Sequence, residues 1–323
     1  MKKDNKAIIL TDGGICSQIA FYVLGKYLED LGYEIKYDLT WFKKNGKDCN
    51  GVHARNYIMD VAFPELNIGI ASDKEALKFE KKYAFPCKTN VPLNKLKEKM
   101  YIYGYPKERM FLLGKYAGYL KKTFNPIDKN EVEEIIKEVK NKNSCAIHVR
   151  RGDLSGYVPE YGYPPDKDYF LKAMDIIVKL AGEDVEFYLF SDEPEWVKKN
   201  LLPYVNYNCK LVNRNDSARG HLDLYIMSRC KNIIASQGSF GSFAKILNIN
   251  DKSILITPTY QDFLHFSFSN IITLNQKPLG ETLQLQQKNK FEKYKKWFNV
   301  TLITNIIFIL ITVVLSSLLF LKK

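Results

Sequence analysis

Apolar and polar positions alternate along this chain in blocks that read as short buried strands between amphipathic helices. "KAIILTDGG", residues 6–14, is a brief apolar run broken by two glycines, the pattern of a buried strand ending in a turn. "SQIAFYVLGKYLEDLG" follows, with Ile19, Val23, Leu24, Leu28 and Leu31 on one helical face and Gly32 placed to end the helix. "EIKYDLTWF", residues 34–42, predicts a second strand. Strand, helix, strand is the unit of a parallel sheet. Residues 60–125 show no clean period and hold aromatic, loop-like stretches such as "MYIYGYPKERMF".

A second series begins near residue 128. "DKNEVEEIIKEVKNKN" places Val132, Ile135, Ile136 and Val139 on one side of a helix. Strands are then predicted at "CAIHV", "VEFYLFS", "CKLV", "NIIAS" and "SILIT". Between them lie the helical stretches "DKDYFLKAMDIIVKLAG", starting near Asp166, "DEPEWVKKNL", with Asp192 as its N-cap, "HLDLYIMSRC" and "SFGSFAKILN". Repeated β-α units over 144–257 predict a doubly wound parallel sheet. With the earlier unit they make an α/β chain of two lobes with a cleft between them.

The last block breaks the rhythm. Residues 300–321, "VTLITNIIFILITVVLSSLLFL", form 22 uncharged positions, enough to cross a bilayer as a helix. Lys288, Lys290, Lys293, Lys295 and Lys296 precede it, whereas only Lys322 and Lys323 follow. This predicts a single C-terminal transmembrane helix with the preceding part in the cytoplasm. The polar opening "MKKDNK" gives no N-terminal signal segment.

Composition narrows the chemistry. The chain of 323 residues carries 48 Lys+Arg against 36 Asp+Glu, a formal charge of +12. The lysines are scattered, with no basic arm, so solvated surface explains the charge better than nucleic-acid binding. Six cysteines at 16, 49, 87, 145, 209 and 230 form no C-x-x-C pair and read as reduced thiols. His53, His148, His221 and His265 are too dispersed for a zinc site.

Only seven residues are arginine, and two stand together in "SCAIHVRRGDLSGY". In an open parallel sheet, ligands bind beyond the carboxyl ends of the strands. The end of "CAIHV" therefore delivers Arg150, Arg151 and Asp153 to that edge. A guanidinium offers a planar fork that grips phosphate through paired, charge-assisted bonds, which an ammonium cannot do. Gly152 allows a sharp turn, and Asp153 can pair back to an arginine. Spacing alone leaves open whether the doublet binds phosphate or forms a structural Arg–Asp pair. Two further strand-to-helix turns are phosphate-capable: "DGGICSQ" at 12–18, and "ASQGSFGSF" at 235–243.

"HVRRGD" resembles the His-x-Arg-Arg-x-Asp motif of fucosyltransferases that use GDP-fucose, and the chain is most similar to glycosyltransferase family 11, the α-1,2-fucosyltransferases. Gly13, Gly14, Ile15, Cys16, Ser17 and Gln18 resemble that family's Gly-Gly-Leu-Gly-Asn-Gln turn. "YLFSDEPEWVKKNL" and "LDLYIMSRCKNIIAS" resemble two further family segments, and the likeness runs over roughly residues 8–258 in unbroken order. The departures are Cys16, Ser17 and "GSFGSF", which stands where the family carries a serine-rich turn and two tryptophans. They bear on the sugar and acceptor more than on the fold.

The resemblance implies a GT-B-like fold of two Rossmann-type lobes, with an acceptor-side lobe over 1–140 and a GDP-sugar lobe over 141–285. A basic linker over 286–299 and the membrane helix 300–321 follow. It implies GDP-fucose as donor, a galactose-containing acceptor that a membrane enzyme could receive lipid-linked, and neither metal nor other cofactor. Arg150 would hold the β-phosphate, with Arg151 beside it and His148 beside the nucleotide. Asp223 would accept from guanine N1–H and N2–H. Gly238, Ser239 and Phe240 would hold phosphate oxygens, with Gly14 and Ser17 approaching from the first lobe. Asp153 and Glu160 are the two candidates for the base. Another GDP-sugar donor, or a membrane-tethered binding protein without turnover, are the alternatives.

Overall fold

A computed structural model describes residues 5–44, 46–47, 55–86, 96–104, 109–155, 163–212, 219–258 and 268–274. The described residues all fall within one compact unit, Met1–Lys277. The apolar stretch 300–321 and its basic approach lie outside the described residues. Among the described residues no helix is long and apolar enough to cross a membrane.

The first sheet is built from β1 (Lys6–Leu10), β2 (Glu34–Asp38), β3 (Ala84–Pro86) and β4 (Lys99–Tyr103), all parallel, in the order β2-β1-β4-β3. Helix α1 (Ile15–Asp30) joins β1 to β2. It ends at Gly32, whose φ of +86° suits the left-handed position that a residue with a side chain resists. Leu31, expected on the apolar face, lies past the helix end and is 47% exposed. The predicted strand 34–42 is shorter than its pattern. Asp38 accepts the Thr40 N–H at 2.8 Å and turns the chain into the short helix α2 (Thr40–Lys44).

The region without a clean period holds α3 (Met59–Ala62), α4 (Asp73–Tyr83), β3, β4 and α5 (Arg109–Thr123). Helix α4 was invisible to periodicity because it buries only Ala76 and Phe79, yet its start is marked by Ser72, whose hydroxyl accepts the Glu75 N–H at 3.2 Å. α6 (Glu133–Asn141) leads into the second sheet and buries Ile136 and Val139.

That sheet comprises β5 (Ser144–Val149), β6 (Glu186–Ser191), β7 (Cys209–Leu211), β8 (Asn232–Ile234), β9 (Leu255–Pro258) and β10 (Ile271–Leu274). The helices between are α7 (Lys167–Ala181), α8 (Pro194–Asn200), α9 (Gly220–Met227) and α10 (Phe240–Ile246). All pairings are parallel in the order β10-β9-β8-β5-β6-β7. The chain runs outward from β5 to β7, then restarts at β8 on the other side of β5. The β5/β8 boundary is therefore the topological switch point, where a crevice opens beyond the strand ends. In the first sheet β1 and β4 bound the corresponding point.

β5 is buried at all six positions, as a central strand covered on both faces must be. One apolar cluster runs from Ile9, Ile19 and Leu113 in the first layer to Leu222, Ile233 and Phe243 in the second. Phe124, stacked on Phe63 and edge-on to Tyr225, joins the two. Each such side chain contributes roughly 1.5–3 kcal/mol when fully withdrawn from water.

Candidate functional site

The register of β5 on β6 sets the site. Val149 pairs with Ser191, so the next residues, Arg150 and Asp192, emerge side by side. Arg150 Nη1 lies 3.0 Å from Asp192 Oδ2, and Asp192 Oδ1 accepts the Arg151 N–H at 2.9 Å. Asp192 thus grips both residues of the doublet. It is not the N-cap of α8: Glu193 occupies that place without a side-chain capping bond. Of Asp153, the expected partner of an arginine, only the backbone is described, in a short 3-10 turn over Gly152–Leu154. Gly152 is needed for space, since a Cβ there would stand 2.6 Å from Asp192 Oδ2. Glu160 lies outside the described residues.

One arm of the Arg150 fork is therefore committed to an acid. The side-by-side alternatives posed by the sequence, phosphate ligand or Arg–Asp pair, are not exclusive at this residue. Arg151 turns away from the doublet axis. Its guanidinium lies 4.1 Å from the centre of the Trp196 ring, a cation–π stack, with Glu193 at 3.8 Å.

The second predicted turn is lashed to the first. Ser236 Oγ lies 3.2 Å from the Arg150 carbonyl and 2.6 Å from Gln237 Oε1, while Gln237 Nε2 donates to the Leu154 carbonyl at 3.1 Å. Both side chains are fully buried, so they build the turn and leave ligand contact to the residues after them. Gly238 has φ +86°, a conformation glycine adopts without strain, and Ser239 is exposed. Gly241 lets α10 press onto the sheet, because a Cβ there would meet the Ala235 Cβ at 2.5 Å.

His148 stacks on Phe240, with ring centres 5.1 Å apart. Burial, reinforced by the positive charge of Arg150, pushes the imidazole down to about 3. It is neutral at physiological pH and cannot act as a cation toward phosphate. Phe240 also packs near Gly220 at the start of α9, where an added Cβ would stand 3.7 Å from the ring. Asp223 sits in the first turn of that helix and is partly exposed. The start of α9 is held to the inter-layer connector by the hydrogen bond between His221 Nε2 and Asp128, 3.0 Å, and by the ion pair of Arg219 with Glu131.

The third turn, Thr11–Gly14, meets the other two. Gly13 has φ +71°. The side chain of Ser239 hydrogen-bonds the Cys16 thiol, and Arg150 and Arg55 both act electrostatically on that thiol. Burial outweighs them and pushes Cys16 up to about 12, so it stays a thiol. The structure thus brings together Gly14, Cys16, His148, Arg150, Gly238, Ser239 and Phe240, with Ser17 one residue further along α1.

Three contributors escaped sequence reading. Asp192 was legible in principle, as the residue that follows the strand paired with β5. Gln18 was marked only as the last residue of the glycine-turn resemblance, without a role, and Arg55 gave no signal of its own. Gln18 is 1% exposed within α1, and its amide serves backbone groups of the loop that carries Arg55.

The chain is similar to known glycosyltransferases. The sequence model of glycosyl transferase family 11 matches residues 81–271. An O-antigen biosynthesis glycosyltransferase of Escherichia coli, WbnK, is 28% identical over 120 residues, which is 36% of this chain and 39% of that protein. An alpha-1,2-colitosyltransferase of Escherichia coli is 28% identical over 162 residues, 47% of this chain and 52% of that protein. A galactoside 2-alpha-L-fucosyltransferase of Caenorhabditis elegans is 28% identical over 123 residues, 36% of this chain and 32% of that protein. The matched region spans between a third and about half the length of these curated relatives. Since the family match covers more than half of the residues and takes in the doublet, the Asp192 bracket and the 235–243 turn, the chain belongs to glycosyltransferase family 11.

Proposed function

We propose that the protein moves fucose from GDP-fucose to the 2-hydroxyl of a galactose residue in a glycan, with inversion and without a metal or other cofactor, on a GT-B-like frame. The observation that carries this reading is the meeting of three strand-to-helix turns, two of them at the β5/β8 switch point. Arginine and backbone N–H groups gathered there suit a diphosphate leaving group.

In this reading the acceptor hydroxyl attacks the anomeric carbon as GDP departs on the opposite side. Negative charge grows on the β-phosphate. Arg150, Ser239 and the backbone of Gly238 and Phe240 receive it, and Gly14 and Ser17 approach from α1. Losing one preorganised donor of this kind typically costs about 10²–10³-fold in rate. Arg151 keeps the turn in place from its stacked position. Asp223 pairs with guanine N1–H and N2–H, and neutral His148 with Phe240 walls the nucleotide. Asp153 or Glu160 takes the acceptor proton. The acceptor is a galactose-containing glycan, lipid-linked if the 300–321 stretch anchors the protein to the cytoplasmic face of a membrane.

The relative named for colitose transfer supports a second donor, GDP-colitose. The test is purified full-length protein incubated with GDP-fucose, GDP-colitose, GDP-mannose or UDP-sugars, each with and without a β-galactoside. Acceptor-dependent GDP release from GDP-fucose, with an α-1,2 linkage in the product, is expected. Preference for a uridine nucleotide, or nucleotide binding without turnover, overturns the proposal.

A further inference from the structure

The doublet poses a problem of charge. Arg150 faces Asp192 at 3.0 Å and Arg151 faces Glu193 at 3.8 Å, so each guanidinium is balanced by a carboxylate. A diphosphate needs net positive charge, and the two pairs supply geometry but little excess. Among the described arginines the remaining pattern is uneven. Arg219 pairs with Glu131, and Arg229 donates to the Phe124 carbonyl and lies over Tyr225. Arg55 has no acidic or carbonyl partner among the described residues.

Arg55 is also where such charge is needed. A Cβ built on Gly14 would lie 3.9 Å from Arg55 Nη1, so the guanidinium stands directly over the glycine turn. Like Arg150, it acts electrostatically on the buried Cys16 thiol in the first turn of α1. The position is enforced from inside α1. Gln18 Nε2 donates to the Gly13 carbonyl at 3.1 Å and to the Asn56 carbonyl at 2.9 Å, and Gln18 Oε1 accepts the Ile58 N–H at 3.0 Å. One buried amide thus clamps the turn and the loop bearing Arg55 together. A buried polar group so fully satisfied is expensive to disturb and fixes what it joins.

We propose that Arg55 is a second donor-diphosphate ligand, supplied by the first sheet layer and aimed by Gln18. The proposal rests on the reading of this cleft as a GDP-sugar site. It assigns the uncompensated positive charge to Arg55, and fixed orientation to the Arg150–Asp192 pair.

The experiment is GDP and guanosine binding by the full chain and by its Arg55→Gln, Arg55→Lys and Gln18→Leu variants, with thermal unfolding alongside. Arg55→Gln should weaken GDP by roughly 10- to 100-fold, the scale of lost charge-assisted bonds, and leave guanosine unchanged. Arg55→Lys should recover part of the loss. Gln18→Leu should weaken GDP in the same direction. If Arg55→Gln binds GDP as the unaltered protein does, or loses GDP and guanosine equally, Arg55 is no phosphate ligand and the proposal falls. If the unaltered protein binds no guanine nucleotide, the site reading itself fails, a result separable from the first. Should Arg55→Gln not fold, Arg55→Lys decides: GDP binding and its salt dependence identical to the unaltered protein overturn the proposal.

Discussion

Replacing Asp192 with asparagine isolates what the Arg150 bracket does. The substitution keeps the shape and an oxygen for the Arg151 N–H, and removes the charge that faces Arg150 Nη1 at 3.0 Å. The two side chains are 21% and 16% exposed, so the pair is neither a surface pair nor a fully buried one. Surface pairs are worth about 0–1 kcal/mol, and breaking buried ones costs about 3–5 kcal/mol. A loss near 1–2 kcal/mol is expected, roughly 2–6 °C in Tm. Catalysis should suffer more than stability. An arginine misplaced by about 1 Å costs on the order of 10²-fold in rate, so kcat should fall by about 10- to 100-fold. Donor binding should move the other way or hold. Removing the carboxylate beside Arg150 leaves more net positive charge to attract an anionic donor. The assay is steady-state transfer with the donor varied, for Asp192→Asn, Arg150→Lys and the double variant. Because Asp192 acts through Arg150, the double variant should be little worse than Arg150→Lys alone. Equal fractional losses in both backgrounds would refute that reasoning, as would a kcat unchanged in Asp192→Asn.

Three further outcomes follow from the geometry. His148, held down to about 3 by burial and by Arg150, should show no imidazole titration between pH 5 and 8 by NMR. Because its folded value lies below the ordinary 6.5, the unfolded chain takes up a proton that the native state refuses, so His148 makes stability fall as pH drops from 6.5 toward 3; His148→Phe should flatten that part of the stability curve. Lys245 lies buried against Ser253 and is lowered from 10.5 to about 8, so its contribution to stability should rise with pH between those values; Lys245→Met should remove that increment in denaturant titrations at pH 7 and 9. Gly241→Ala drives a Cβ to within 2.5 Å of the Ala235 Cβ, and unfolding should report a loss of about 1–3 kcal/mol or more, together with weakened GDP binding as α10 lifts from the switch point.

The repeated β-α pattern after residue 128 was legible because each element carries its own period and its own boundary. Helix α7, expected to start near Asp166, is capped by that residue, which accepts the Tyr169 N–H at 3.2 Å. The stretch 60–125 was not legible, since α4 buries little and α5 ends in a solvated basic turn. "TWF" read as strand because its residues favour strands, yet a local Asp38–Thr40 bond overrides that preference. At the site, the doublet and the turns at 12–18 and 235–243 could be named because residue type betrays them. Their linkage could not. Asp192, Gln18 and Arg55 act through pairings that depend on strand order and loop path, and no periodicity in one dimension encodes those.

β5 draws both of its neighbours from later in the chain: β6 starts at residue 186, and β8 starts at residue 232. During synthesis the strand that delivers Arg150 therefore waits, one edge open, until more than eighty further residues have emerged. Contacts of such long sequence separation form slowly. An unpaired apolar strand is also a template for association with other chains. Ribosome stalling or truncation before residue 234 should leave an insoluble product, so a minimal fragment carrying the arginine doublet must extend past β8 to be recovered in solution.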